Sequence, residues 1–93
     1  MNILQEADKL TNINRQSEYG SPATNFTNIA VMAKPILESN IDPALKHALY
    51  MIQVKIARLL NTPEHKDSIV DIAGYINTYN MILEARKDDY EKV

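Results

Sequence analysis

The sequence predicts an all-α fold: a four-helix, bundle-like single domain over residues 1–93, assembled as a homo-oligomer. Three observations carry this. Apolar residues recur at helical spacing in four stretches, and no stretch alternates with period two for long. Gly20, Pro22, Pro43 and Pro63 fall at the joints between those stretches. The last stretch is apolar on more than one side, which asks for a second partner surface.

The first helix is expected over about residues 2–14, with Ile3, Leu4, Ala7, Leu10 and Ile13 on one stripe. The second is expected to start at Thr24 as N-cap and run to about Ser39, burying Phe26, Ile29, Ala30, Ala33, Ile36 and Leu37. Pro35 should kink or split it near Lys34. Asp42-Pro43 is a strong start for the third helix, with Asp as cap and Pro in the first turn. That helix repeats Leu45, Leu49, Ile52, Ile56 and Leu59/Leu60, ending at Asn61 before Pro63. The fourth starts at Asp67 or Ser68 and carries Ile69, Ile72, Ala73, Ile76, Tyr79, Ile82 and Leu83. Its excess of apolar positions, which include Val70 and Met81, makes helices three and four the expected interface between copies. Residues 86–93 form a charged tail expected to fray.

Composition excludes several classes. Apolar residues at 45% and charged residues at 24% are ordinary for a globular domain and too apolar for a disordered one. A net charge of −2, with basic residues scattered along the chain, gives no Lys/Arg stripe for duplex nucleic acid and no strong pull to a membrane. Without cysteine there are no disulfides and no thiolate metal sites. No run approaches the roughly 20 apolar residues of a membrane span, and the first residues turn polar at once, so a cytoplasmic protein without a signal peptide is expected.

Two polar joints draw the functional reading. One runs from Asn14 to Pro22 and continues into Asn25 and Phe26; the other is His65-Lys66-Asp67-Ser68, with Asp71 and Tyr75 following at helical spacing. Connections rich in such side chains carry function more often than the scaffold that positions them. In the first, Arg15, Gln16, Tyr19, Asn25 and Phe26 surround the Gly20 turn. Tyr19 and Phe26 suit stacking on a base, and Arg15 and Asn25 suit a base edge or a phosphate. The alternative is that both aromatics close the joint onto the core, and for Phe26, at the head of an apolar stripe, the core reading is the stronger. On helix three, Lys55 and Arg58 share a face and could meet an anion or the Asp pair, or simply be solvated. Asp67 and Asp71 lie four apart on one face, a spacing that suits a divalent cation. The competing reading makes Asp67 a cap and pairs Asp71 with Lys55 or Arg58. His47 and His65 form no His-x-x-x-His or Glu-x-x-His element, which argues against zinc, although His65 could contact an anion. There is no Gly-rich phosphate loop and no nucleophile signature.

The string Arg15-Gln16-x-x-Tyr19-Gly20-x-Pro22-x-x-Asn25-Phe26, with Lys55-Ile56-Ala57-Arg58-Leu59 and His65-Lys66-Asp67-Ser68-x-x-Asp71-Ile72-Ala73-Gly74-Tyr75, resembles a family of small phage and prophage proteins of unassigned function. That family looks distantly similar to the all-α nucleotide pyrophosphohydrolases of the MazG and dUTPase type. Those enzymes are helical, oligomeric and magnesium-dependent, with a Glu-Glu-x-x-Glu helix facing a Glu-x-x-Asp helix. Here Asp67 and Asp71 could stand for the second acidic element at a spacing of four, and no Glu-Glu-x-x-Glu exists. The resemblance therefore implies a nucleotide-binding scaffold with thin hydrolytic equipment. The expected function is capture of a nucleotide or cyclic nucleotide, such as a host immune signal, without cleavage, in the cytoplasm of an infected or lysogenic bacterium. The ligand would be held by Arg15, Gln16, Tyr19, Asn25, Phe26, Lys55, Arg58, His65, Lys66, Asp67, Asp71 and Tyr75, with no cofactor. The alternatives are a pyrophosphohydrolase with Mg2+ on Asp67 and Asp71, and a structural or partner-binding helical protein.

Overall fold

The computed structural model describes residues 2–11 and 20–87. It is all-α, with helices α1 (Ile3–Lys9), α2 (Pro22–Glu38), α3 (Pro43–Asn61) and α4 (Lys66–Ala85). Each start has a local cause. At α1, Gln5 N donates to Asn2 Oδ1 at 2.8 Å while Asn2 N donates to Gln5 Oε1 at 3.0 Å, a reciprocal capping box. The expected helix over 2–14 ends earlier: Leu10 and Thr11 widen into a π-type turn, and 12–14 lie outside the described residues.

Thr24 is not the cap of α2. The helix begins three residues sooner, at Pro22, because Ser21 Oγ accepts the Thr24 N–H at 3.3 Å and Pro22 occupies the first turn, where no N–H is needed. Pro35 neither splits nor ends α2. It is exposed and lies three residues before the helix end, so its missing donor falls where the ladder is finishing. Asp42 caps α3 as expected, accepting from Ala44 N at 2.9 Å, and α3 runs to Asn61. α4 starts ahead of both expected caps. His65 holds the cap position, its ring Nδ1 lies 2.7 Å from Ser68 Oγ, and Ser68 is buried inside the first turn. Asp67 sits in that turn and favours the positive end of the helix dipole.

α3 is the central element, packed against α2 on one flank and α4 on the other. The buried apolar set is Ala33, Leu45, Ala48, Ile52 and Ala57, and its three alanines let the helix backbones approach closely. Lys46 Nζ donates to the Leu37 carbonyl at 3.3 Å, linking α3 to the end of α2. Arg86 pairs with Asp42, fastening the end of α4 to the start of α3, so the charged tail expected from Arg86 onward is anchored at its first residue.

Among the described residues this core is small. The radius of gyration is 16.4 Å, against about 12 Å for a compact domain of this length. Ile3, Leu4, Val31, Leu60, Val70 and Met81 are each more than half exposed. Every side chain of α1 is exposed, so Ile3, Leu4 and Ala7 of the expected stripe meet no core among the described residues, and Ile13 lies outside them. Two buried residues among those described are polar: Ser68, which meets the His65 ring, and Gln53, whose Oε1 and Nε2 both lack a hydrogen-bond partner.

Candidate functional site

A polar concavity lies where the start of α2 meets the end of α3. Gly20, Ser21, Thr24, Asn25, Asn28, Ala57, Leu60 and Asn61 line a cleft of about 220 Å³. Two local features build it. Gly20 turns the chain with φ +79°, a conformation glycine adopts without steric cost. Asn61, the last residue of α3, presses on that turn: a Cβ on Gly20 would sit 2.7 Å from Asn61 Oδ1. Asn25 and Asn28 are one turn apart on α2 and point their amides to the same side. Three carboxamides, two hydroxyls and the N-terminal end of a 17-residue helix thus converge on an apolar floor of Ala57 and Leu60. Asn25 Oδ1 is buried and lacks a hydrogen-bond partner. A buried acceptor left unpaired costs about 1–3 kcal/mol.

The remaining expected site residues fall elsewhere. Arg15, Gln16 and Tyr19 lie outside the described residues. Phe26 is 69% exposed, which corrects its assignment to the core. It lies at the rim of the α2–α3 seam, edging a shallow apolar groove with Ile29 and Ala30 of α2 and Tyr50 and Val54 of α3. Lys55 Nζ sits 3.0 Å from Asp71 Oδ2, with the Lys55 side chain 12% exposed and that of Asp71 45% exposed. This is the pairing expected of Asp71, and it places both groups on the α3–α4 seam. Tyr75 is half-buried beside Asp71 in a shallow notch with Val70, Gly74 and Thr78. Arg58 is half-buried, His65 is turned to Ser68, and Lys66 and Asp67 are exposed at the start of α4. The residues expected to form one site are therefore divided, and of those described only Asn25 lines the cleft.

Sequence reasoning missed Asn28 and Asn61. A signal for Asn28 was present, since it lies three residues after Asn25 and shares its face. Asn61 read only as a helix terminator. Among the described residues there is no group of three or more His, Cys, Asp or Glu side chains placed to hold a metal ion. No helix among them is long and apolar enough to cross a membrane.

The profile of a family described as a domain of unknown function, DUF6378, matches residues 2–90. The chain belongs to DUF6378. Among its relatives, the Gene 55 protein of Mycobacterium phage D29 is 40% identical over 82 residues, covering 88% of this chain and 54% of that protein. The Gene 55 protein of Mycobacterium phage L5 is 30% identical over 92 residues, covering 99% of this chain and 59% of that protein. This DUF6378 chain is thus similar to phage proteins and spans somewhat more than half the length of the curated relatives it matches. No solved structure matches it.

Proposed function

We propose that this phage-type helical protein binds a nucleotide-class ligand at the Asn25–Asn28–Asn61 cleft and releases it uncleaved. The observation that carries the reading is the unpaired, buried Asn25 Oδ1 in a cleft already lined by two further carboxamides. A carboxamide offers an acceptor and two donors, the complement of a nucleobase edge or a pair of sugar hydroxyls. The N-terminal end of α2 adds the positive end of a helix dipole, which favours a phosphate. The cleft is about 220 Å³, somewhat under the usual 300–1,000 Å³ of small-molecule sites. It suits one moiety, a base or a ribose, with the phosphates lying outward. Sequestration of a host signal nucleotide is the role that fits a phage protein of this kind.

The pyrophosphohydrolase alternative needs free carboxylates on α4. Asp71 is held by Lys55, and a magnesium ion there would have to displace that ammonium. Capture without hydrolysis is the better fit to that pairing. The test is incubation with a panel of nucleoside mono-, di- and triphosphates and cyclic nucleotides, with and without magnesium, followed by chromatography of the protein-bound fraction after denaturation. Intact nucleotide, retained equally in excess chelator, is the expected result. Monophosphate with pyrophosphate would establish hydrolysis, and no retained nucleotide would refute the ligand class.

A further inference from the structure

We infer that α4 is a self-pairing helix: two copies of this chain associate through antiparallel α4 helices that meet over the Gly74–Thr78 turn. This goes beyond the ligand reading and is independent of it, since none of the residues involved lines the cleft.

The argument begins with Gly74. A glycine in the middle of a 20-residue helix costs about 1 kcal/mol relative to alanine. Among the described residues nothing uses the missing side chain, because a Cβ at Gly74 would meet no atom beyond its own helix backbone within 4 Å. Its backbone is instead open to solvent at the floor of the notch between Val70 and Thr78. A bare helix backbone in an open notch lets a second backbone come close.

The stripe around it has the period of a helix pair. Asp67, Asp71, Gly74, Thr78, Met81 and Ala85 follow one another at spacings of four, three, four, three and four. Val70 and Met81, beside the notch and one turn beyond it, are 58% and 61% exposed. Thr78 is less polar than its name suggests, for its Oγ1 donates to the Gly74 carbonyl at 3.1 Å and is satisfied within the helix. Asp71 is neutralised from behind by Lys55. The face is therefore small and apolar from Gly74 onward, and acidic only at its N-terminal end.

That polarity selects the occupant and its direction. Parallel pairing of two α4 helices would set Asp67 on Asp67 and Asp71 on Asp71, and would align the dipoles, all unfavourable. Antiparallel pairing, centred at the level of Ile76, one residue past Tyr75, sets Gly74 of one copy opposite Thr78 of the other. It sets Asp71 opposite Met81, and Asp67 opposite Ala85. The flank complements itself too. Lys66 and Glu84 are 84 − 66 = 18 residues apart, about five turns at 3.6 residues each, so they share one edge of α4. Reversal of the second copy brings each Lys66 to the Glu84 of its mate. A self-complementary strip of this kind is what a two-fold interface requires. The exposed Val70 and Met81 supply the apolar area it would bury.

The test uses Gly74→Leu. Space for the side chain exists in the single copy, so the variant should keep its helical circular dichroism. In dilute solution, where copies are separate, its melting temperature should be no lower than that of the unaltered protein. Sedimentation should show the unaltered chain as a dimer and the variant with a dissociation constant raised by about tenfold or more. Gly74→Ala, which adds one methyl, gives a smaller shift in the same direction and serves if Leu disturbs folding. The direction is read by cysteine pairing, since the chain has no cysteine of its own. A mixture of Asp67→Cys and Ala85→Cys chains should give a disulfide-linked mixed dimer on mild oxidation, whereas Ala85→Cys alone should not cross-link. A wild-type chain that stays monomeric at millimolar concentration would overturn the proposal and give the stripe to a different partner. Undiminished dimerisation of Gly74→Leu, or efficient cross-linking of Ala85→Cys alone, would overturn it equally.

Discussion

Gly20→Ala is the most exacting single change at the cleft, because two separable penalties meet there. The backbone at this position has φ +79°, a region in which an L residue pays about 1–2 kcal/mol. The new methyl would also stand 2.7 Å from Asn61 Oδ1, closer than a Cβ and an oxygen can approach. Asn61 is exposed, and its Nδ2 donates to the neighbouring Thr62 Oγ1 at 3.1 Å, so relieving the clash means turning an exposed side chain rather than moving backbone. Backbone strain therefore dominates the stability effect, and the total should be about 1–2 kcal/mol. In a domain of this size that lowers the melting temperature by about 4–16 °C. The displaced Asn61 amide should separately weaken nucleotide retention. Thermal and urea denaturation, with Asn61→Ala and the double variant completing a cycle, apportions the two. The double variant should recover little stability, since the strain remains. If Gly20→Ala melts within a degree of wild type, or if Asn61→Ala restores it fully, the strain argument is refuted.

Other substitutions probe the interior and the site. Gln53→Met should stabilise the protein by about 1–3 kcal/mol, because it replaces a buried amide with no partner on either atom by an apolar chain of similar shape; a lower urea midpoint would mean that the amide is satisfied in solution. Asp71→Ala should cost about 1 kcal/mol, the modest value following from a carboxylate 45% exposed and screened by water. Lys55→Met should cost less than Asp71→Ala, since it removes the buried charge where the other leaves it unpaired, and the opposite order in paired denaturation curves would contradict this. Asn28→Ala should leave melting within about 0.5 kcal/mol of wild type while weakening nucleotide retention by about 1–1.5 kcal/mol, as measured by calorimetric titration.

Helices were legible wherever a local rule acted alone. Asp42-Pro43 announced the start of α3 because cap and first-turn proline act within three residues. Ser21-Pro22 obeys the same rule, yet Thr24 drew the attention as the residue before the apolar run. Pro35 misled because its effect depends on its distance from the helix end, which periodicity does not give. Phe26 misled for a different reason: a stripe fixes which residues share a face but not how wide a face the partner helix covers. The site was less legible than the fold. The Lys55–Asp71 pair followed from two faces on adjacent helices. The cleft depended on the end of α3 meeting the start of α2, a relation between Asn61 and Gly20 that no spacing in the sequence encodes.

The central claim, that the carboxamide cleft holds the ligand, is tested most directly by nuclear magnetic resonance of the side-chain amides during titration with the nucleotide that the panel retains. The Nδ2 signals of Asn25, Asn28 and Asn61, with the backbone amides of Ser21 and Thr24, should shift saturably while those of α4 stay in place. Shifts centred on Lys55, Asp71 and Tyr75, with the three asparagine amides unmoved, would contradict the account.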